Sequence, residues 1–215
     1  MSKTTHALTP EMLLGGYASG IFPMAMSRDA HELHWFDPPR RGVMPLDGLH
    51  ISHSLRKRIR RWDYLVRINS AFGEVVRACA ERPETWINDE LVEIYQSLHD
   101  AGHAHSMEIW QDGALAGGIF GIALGGAFFG ESMFSRRRDG SKLAMVWLVD
   151  RLRRAGFTLF DTQYLTSHLA SLGGVEIPRA RYIEQLQKAL LTPADFTAPP
   201  PVTPQLILQR KSQTS

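Results

Sequence analysis

The sequence predicts a mixed α+β fold, with helices packed on one β-sheet, and three observations predict it. The uncharged stretch from Gly113 to Gly130 carries Gly125-Gly126 between two β-rich halves, which is typical of a β-hairpin. A largely apolar segment of helical length follows from about Ser141 to Ala155. Phe157 to Thr162 is then a further strand. A strand, a crossover helix and a second strand in one sheet form a parallel, right-handed unit, so ligands are expected at the carboxyl ends of these strands.

Length and composition narrow the class of protein. The chain has 215 residues, 44% of them hydrophobic and 21% charged, so a globular core is expected and a disordered chain is not. Its single cysteine, Cys79, excludes a disulfide framework and a multi-cysteine zinc site. The uncharged stretch is too broken by glycine for a membrane span, and no secretion signal opens the chain. We therefore expect a cytoplasmic protein.

The N-terminal third predicts a small domain over residues 1–62. Thr9 and Pro10 are a typical helix start, and Gly20 ends that helix. Residues 21–23 and 34–41 are rich in proline and aromatic residues, which predicts irregular backbone. A basic helix is expected from Ser54 to Arg61.

Residues 63–192 are expected to form the larger domain. Helices are predicted over Ala71–Ala80, after a cap at Asn88 or Asp89, and over Arg179–Leu191, with a strand at Ser106–Trp110. Residues 193–215 are rich in proline and polar side chains, which predicts an extended or mobile tail.

A dense cluster of positive charge lies on the predicted basic helix. Five cations occupy six positions on a chain whose net charge is only +2, and like charges this close favour an anionic partner. Together with Arg40, Arg41 and the run Arg136–Arg138, the cluster predicts contact with phosphates, without reading of bases. The predicted phosphate-binding residues are Arg56, Lys57, Arg58, Arg60 and Arg61.

Three polar residues interrupt the apolar strands and predict a site. Asp161 and Gln163 lie two apart on one strand, so both point to the same face, and Glu131 ends the long apolar stretch. Polar groups in such settings are costly unless they are bonded or used, and the three together favour a functional site. No nucleophile elbow, phosphate-binding loop or dinucleotide fingerprint is present. From the residues alone, we expect an α/β-type enzyme that binds a phosphate-rich partner.

Several motifs resemble one known family, the leucyl/phenylalanyl-tRNA–protein transferases, from about Met12 to Leu190. The motifs that carry the resemblance, in chain order, are Leu49-His-Ile-Ser52, Thr85-Trp-Ile87, Gly102-His-Ala-His-Ser106, Phe129-Gly-Glu-Ser-Met-Phe-Ser-Arg136, Phe160-Asp-Thr-Gln163, His168-Leu-Ala-Ser-Leu-Gly173 and Ile177-Pro-Arg179.

The resemblance implies the reaction and the partners. It implies a bacterial cytoplasmic enzyme that moves Leu or Phe, with Met as a third candidate, from aminoacyl-tRNA to an N-terminal Arg or Lys, which marks the acceptor protein for degradation by the N-end rule. It further implies an acetyltransferase-like catalytic domain, a monomer, and no metal, ATP or other cofactor.

Site residues follow from the same resemblance. It implies catalytic roles for Asp161, Gln163 and Glu131, and contacts of Trp35 and Trp86 with the terminal adenosine of the tRNA. The residues implied for the aminoacyl pocket are Ile119, Met133, Met145, Leu148 and Phe160. One aromatic wall departs from the usual family pattern at Met24, His34 and Phe36.

Two other functions remain open from the sequence. An acyl-CoA N-acetyltransferase could share the fold, but Arg138-Asp139-Gly140-Ser141 holds only one glycine where a pyrophosphate loop is expected. A non-catalytic tRNA-binding module would explain the basic helix and leave Asp161 and Gln163 without a role.

Overall fold

A mixed β-sheet forms the centre of the molecule. The computed structural model describes residues 8–27, 33–82 and 85–212. The strands of these residues are β1 (Phe22–Ala25), β2 (Leu33–Phe36), β3 (Arg40–Val43), β4 (Leu65–Ile68), β5 (Ala104–Gln111), β6 (Ala114–Leu124), β7 (Ala127–Ser135), β8 (Leu159–Gln163) and β9 (Val175–Pro178). The last seven form one sheet in the order β4-β5-β6-β7-β8-β3-β9, while β1 and β2 pair separately. Within the large sheet, β7 and β8 are parallel and the other described pairs are antiparallel.

Helices cover both faces of the sheet. The helices of the described residues are α1 (Pro10–Ala18), α2 (His53–Arg61), α3 (Phe72–Ala80), α4 (Asp89–Asp100), α5 (Gly140–Arg154), α6 (Ser167–Ser171), α7 (Arg179–Leu190) and α8 (Pro204–Ser212). Apolar side chains of α2, α5 and α8 share one core cluster, and those of α1, α3, α4 and α7 share the other. The α+β class predicted from the sequence is confirmed, and none of the described helices is long and apolar enough to cross a membrane.

The predicted strand–helix–strand unit is present as β7, α5 and β8. The hairpin before it turns at Gly125, whose positive φ of 54° suits a glycine. Helix α5 begins so close to β6 that a Cβ on Gly117 would lie 2.5 Å from the carbonyl carbon of Gly140. The helix is buried over most of its surface because α2 and the C-terminal segment cover the side that faces away from the sheet.

The N-terminal third differs from its prediction of irregular backbone. Residues 22–25 and 33–36 form the two-stranded sheet, in which Pro23 pairs with Trp35; a proline is tolerated there because both strands are edges. Strand β3, which follows Pro38-Pro39, enters the large sheet between β8 and β9. The predicted N-terminal domain, residues 1–62, therefore contributes one strand, β3, to the large sheet.

The C-terminal segment is also more ordered than predicted. Arg151 on α5 donates to the carbonyl oxygens of Phe196 and Pro199 at 2.6 and 2.9 Å, and Arg154 donates to that of Pro200 at 2.8 Å. The ring of Phe196 is buried in the core. The prediction of an extended tail is wrong for residues 204–212, because the apolar side chains of α8 pack against that same core.

Candidate active site

A cavity opens where the two parallel strands separate. β7 and β8 are paired from Ala127–Leu159 to Phe129–Asp161. Beyond that point both strands continue, but they no longer pair with each other. The space between them is a cavity of about 720 Å³ at the carboxyl ends of the strands, as expected from the topology. Its walls also include side chains of β1, β6, α5 and the start of α6.

A β-bulge at Glu131 shapes one wall of this cavity. The partners of Gly121 and Phe120 on β7 are Gly130 and Ser132, so Glu131 is an extra residue in the strand. One inserted residue moves every later side chain to the opposite face of a sheet. Phe129 therefore packs in the α1/α4 core, whereas Met133 packs against the α5 core.

The Glu131 carboxylate is held by neutral donors. The hydroxyl of Tyr17 donates to Oε1 at 2.7 Å, that of Tyr95 donates to Oε2 at 2.9 Å, and Nε2 of Gln163 lies 3.3 Å from both oxygens. Burial raises the pKa of Glu131 from 4.5 to about 7, although the three hydrogen bonds act in the opposite direction. Among the described residues no cation pairs with it. Glu131 is thus a buried carboxylate that can gain or lose a proton near neutral pH.

Asp161 lies in a different environment behind the cavity wall. Nε and Nη2 of Arg41 donate to its two oxygens at 2.9 and 2.7 Å, and Tyr182 donates its hydroxyl at 2.7 Å. Asp161 and Arg41 are both fully buried. The guanidinium also lies over the rings of Phe22 and Tyr182 and donates to the carbonyl oxygen of Gly20 at 3.1 Å. This ion pair corrects the prediction that Arg41 binds phosphate, and Arg40 is paired with Glu176.

Gln163 connects the two carboxylates. Its backbone N–H donates to Oδ1 of Asp161 at 2.8 Å, and its side-chain Nε2 faces Glu131. Its φ of 63° is left-handed, a conformation that costs about 1–3 kcal/mol for a residue other than glycine and that clusters at functional sites. Because a carboxylate accepts hydrogen bonds, the amide nitrogen points to Glu131, and the amide oxygen is the acceptor end.

The structure brings most of the implied aminoacyl pocket together. Ile119, Met133, Met145 and Phe160 line the cavity beside Glu131 and Gln163. Leu148 is not part of that wall: it is an ordinary buried residue of α5, on the core side of the helix.

The two implied tryptophans lie in different places. Trp86 lines the cavity and packs edge-on against Tyr95. Trp35 is outside the described cavity wall, with its ring against Gly16 and 38% of its surface exposed. Met24, one of the departures from the family pattern, lines the cavity instead.

The cations of α2 are divided between two sides of the helix. Lys57, Arg58 and Arg61 line a groove, whereas Arg56 and Arg60 border a depression beside α8. Arg58 is paired with Asp63, and Arg61 lies 2.9 Å from the same carboxylate. The division follows the helical repeat, because residues four apart share a face.

Sequence reasoning missed the residues that surround the carboxylates. Tyr17 and Tyr95 were apolar positions of predicted helices; a buried tyrosine hydroxyl needs a partner, and that requirement was the available signal. Tyr182, in the predicted helix Arg179–Leu191, gave the same signal, whereas Arg41 gave none. Within the described ranges, no three His, Cys, Asp or Glu side chains lie together as metal ligands would.

Comparisons with known proteins identify the family of this chain. Models of the leucyl/phenylalanyl-tRNA protein transferase family match residues 43–187, and models of its N-terminal domain match residues 6–39. Enzymes named leucyl/phenylalanyl-tRNA–protein transferase are similar over almost their whole length. The one from Ruegeria sp. (strain TM1040) is 58% identical, over 97% of this chain and 99% of its own. The one from Cereibacter sphaeroides (strain ATCC 17025 / ATH 2.4.3) is 59% identical, over 99% and 100%.

The solved structures include a similar fold. The crystal structure of FemX superimposes with a TM-score of 0.53 at 11% identity, covering 78% of this chain and 66% of that one. At this identity the likeness concerns the fold alone. The family matches cover nearly the whole sequence, and the chain belongs to the leucyl/phenylalanyl-tRNA–protein transferase family.

Proposed function

We propose that this protein transfers Leu or Phe, with Met as a third candidate donor, from aminoacyl-tRNA to the N-terminal Arg or Lys of an acceptor protein. The observation that carries the proposal is the pair Glu131–Gln163 at an apolar cavity. One side of the cavity suits a hydrocarbon side chain, and the other offers a carboxylate and an amide oxygen to an amine. Membership of the family supports the same reaction.

The apolar wall is the proposed binding site of the donor amino acid. Met133 and Met145 lie beside Ile119 and Phe160, and thioether chains adapt to both a branched and a flat side chain. Leu and Phe differ in shape, so an adaptable pocket suits both. Rejection of Ile and Val is steric in this proposal, and such pockets discriminate by only about 1–3 kcal/mol per methylene.

Glu131 is the proposed partner of the positive charge on the acceptor. The described residues supply it with three neutral donors and no cation, so a cationic N-terminal residue would complete its pairing. A charge-assisted hydrogen bond in a desolvated cavity is stronger than one in water. The preference for Arg or Lys follows from this requirement.

Gln163 is the proposed contact of the attacking amine. The amine nitrogen attacks the ester carbonyl carbon, the new C–N bond forms, and the C–O bond to the ribose breaks; the ribose oxygen gains the proton that the amine loses. The Gln163 amide oxygen accepts a hydrogen bond from the amine and orients it. Asp161 acts through Gln163, because its contact is with the backbone N–H. An aminoacyl ester is already activated, so orientation and desolvation supply most of what the reaction needs.

The remaining contacts with tRNA are extensions of the same proposal. Trp86, and Trp35 from the small sheet, are proposed to contact the terminal adenosine, and the cations of α2 are proposed to contact phosphates. The parallel strands that separate around the cavity support an acetyltransferase-like fold. We further propose that the protein acts as a cytoplasmic monomer in the N-end rule pathway.

The test is transfer of radiolabelled leucine from Leu-tRNA to a protein with N-terminal Arg. The matched acceptor carries Gly at its N-terminus and is expected to receive no label, because it offers no cationic side chain. The Gln163→Ala variant is expected to bind tRNA as the wild type does and to transfer at least 100-fold more slowly.

Each other result has a definite meaning. Equal labelling of the Arg and Gly acceptors would contradict the role of Glu131. A Gln163→Ala variant that transfers normally would contradict the assigned mechanism. Absence of transfer, combined with a rise in melting temperature on addition of acetyl-CoA, would favour an acyl-CoA N-acetyltransferase.

A further inference from the structure

The active-site cavity reaches both faces of the large sheet. Glu131 bonds to Tyr17 and Tyr95, whose rings pack in the core cluster of α1, α3, α4 and α7. Met145 and Phe160 line the same cavity and belong to the core cluster of α2, α5 and α8. The cavity therefore has a carboxylate side and an apolar side, which the gap between β7 and β8 connects.

Two buried polar atoms in the cavity wall have no hydrogen-bond partner in the part of the chain that the structure describes. They are Nε2 of His168 and Oγ1 of Thr162. Both residues line the cavity, and Thr162 is only 9% exposed. Neither side chain takes part in the transfer mechanism proposed above. Because burial of a polar atom without a hydrogen bond is unfavourable, this part of the wall is suited to a ligand that supplies the missing bonds.

The two residues lie on the apolar side of the cavity. Thr162 is two residues beyond Phe160 on β8, and side chains two apart on a strand point to the same face. His168 precedes Leu169 of α6, which lines the cavity and packs in the α5 cluster. The acceptor is proposed to bind Glu131, on the other side of the sheet. The ligand on the side of His168 and Thr162 is therefore the donor amino acid, whose side chain is proposed to lie against Phe160.

The charges around His168 favour a neutral ligand group. Burial lowers the pKa of His168, and the Lys142 ammonium on α5 lowers it further, so the imidazole is mainly neutral at pH 7. The same ammonium disfavours a cationic ligand at this place. A nitrogen of a neutral imidazole either donates or accepts, and a threonine hydroxyl can do both. The pair is therefore suited to a small uncharged group that both donates and accepts hydrogen bonds.

The aminoacyl end of a charged tRNA offers two groups of this kind, the α-amine of the amino acid and the free hydroxyl of the ribose. The α-amine is bonded to the same carbon as the side chain, whereas the ribose hydroxyl lies on the far side of the ester. An α-amino group has an ordinary pKa of about 7.7–8.0, so a useful part of it is uncharged near pH 7. With the side chain against the apolar wall, the α-amine is the group nearer to His168 and Thr162.

We infer that His168 and Thr162 bind the α-amine of the donor amino acid in its uncharged form. This inference rests on the proposed function for the identity of the donor. Held on the apolar side of the sheet, the donor's own amine is kept away from Gln163, where the acceptor amine is oriented for attack. A donor whose α-amine is acylated has lost one N–H and the basic lone pair, so its binding is weaker.

The test measures the binding of two stable donor analogues to the full-length protein by isothermal titration calorimetry. One is the amide analogue of leucyl-adenosine, in which an N–H replaces the ester oxygen. The other is its isocaproyl counterpart, which lacks only the α-amine. The wild type is expected to bind the first about tenfold more tightly. The double variant His168→Phe/Thr162→Val keeps a ring and a branched side chain, and it is expected to bind both analogues equally.

Two single variants serve as controls. Thr162→Val is expected to keep the melting temperature, because the hydroxyl that it removes has no partner among the described residues. A large fall in melting temperature would mean that this hydroxyl is bonded within the protein, and it would overturn the part of Thr162 in the inference. His50→Phe changes an exposed histidine outside the described cavity wall, and it is expected to keep the tenfold preference.

A third analogue, with the α-amine and without the free ribose hydroxyl, separates the two possible sources of the contact. The double variant is expected to bind it about tenfold more weakly than the wild type does, as for the first analogue. A loss of affinity that occurs only when the ribose hydroxyl is present would assign the pair to the ribose and overturn the inference. Equal weakening of all three analogues would also overturn it, because the effect of the substitutions would then be structural.

Transfer of leucine from Leu-tRNA is measured in parallel, so that the proposed function can fail separately. A wild type that transfers leucine and shows no preference for the α-amine would overturn this inference alone. A wild type that transfers no leucine, yet has a preference for the α-amine that depends on His168 and Thr162, would support the binding site and overturn the proposed transfer.

Discussion

Two buried carboxylates on neighbouring strands have opposite surroundings. Asp161 on β8 is paired with the buried guanidinium of Arg41, and Glu131 on β7 is surrounded by two tyrosines and an amide. The first is a closed ion pair whose charges are satisfied inside the protein. The second has donors and no counter-ion, and it faces the cavity. The difference indicates that Asp161 holds the site in place, while Glu131 is the group that responds to a ligand or to pH.

The comparison also separates two kinds of free-energy cost. A buried ion pair is destabilising when one member is removed, because the other member remains charged without a partner. A buried carboxylate without a counter-ion is costly already in the native state, and its raised pKa expresses that cost. Substitutions at the two positions should therefore differ strongly in their effect on stability.

The largest effect is expected from Arg41→Met. This substitution leaves Asp161 buried without its cation, and the free energy of unfolding should fall by about 3–5 kcal/mol in urea denaturation at pH 7. Adding Asp161→Asn should restore part of the loss, since the unpaired charge is then gone. Glu131→Gln should change the free energy of unfolding by less than about 1 kcal/mol at the same pH. Equal losses in the free energy of unfolding for Arg41→Met and Glu131→Gln would contradict the difference between the two carboxylates.

An intermediate effect is expected in the pH dependence of stability. Because the pKa of Glu131 is raised to about 7 in the folded protein from an ordinary value of 4.5, the folded state holds a proton that the unfolded chain has lost at intermediate pH. The resulting stabilisation is complete below about pH 4.5 and is lost as the pH rises through about 7.

The measurement for this effect is the difference in free energy of unfolding between wild type and Glu131→Gln. Between pH 5 and pH 8 that difference should change by about 2–3 kcal/mol, with the variant relatively more stable at high pH. Because both proteins contain the same other titratable groups, the contributions of those groups cancel in this difference. A difference that stays constant with pH would mean that Glu131 titrates at its ordinary pKa.

The smallest effect is expected from Tyr95→Phe. The change removes one hydrogen bond from the Glu131 carboxylate and keeps the ring, so the pKa of Glu131 should rise further. The midpoint of the rise in transfer rate with pH should therefore lie about one pH unit higher than in the wild type. Tyr182→Phe is the matched control, because its hydroxyl bonds to Asp161, whose charge Arg41 already balances. Equal shifts in the two variants would contradict the comparison.

Local signals explain which parts of the fold were predictable. The cap at Thr9, the cap at Asn88 and the turn at Gly125 act within a few residues, and the structure has the expected helix or turn at each. The crossover from β7 to β8 follows from the order of elements and the handedness rule. β1 and β2, which pair with each other, were missed because they are short and lie in proline-rich sequence. β3 was missed because its partners, β8 and β9, lie far along the chain.

The candidate site was predictable only where a residue interrupts an apolar strand. Glu131, Asp161 and Gln163 did so, and the structure brings them together. Arg41 could not be predicted as part of the site, because its partner lies 120 residues away. A charged residue next to Arg40 is typical of an exposed position. The division of the α2 cations between two sides of the helix could have been predicted from their helical spacing.

The 120-residue separation of Arg41 and Asp161 has a consequence for synthesis of the protein. At about 5–20 residues per second, the ribosome adds Asp161 roughly 6–24 s after Arg41, and α7 with Tyr182 follows later still. Strand β3 has neither of its sheet neighbours, β8 and β9, until then. A nascent chain therefore carries an unpaired arginine and an open sheet for most of its elongation, and the transfer site forms only when nearly the whole chain has left the ribosome.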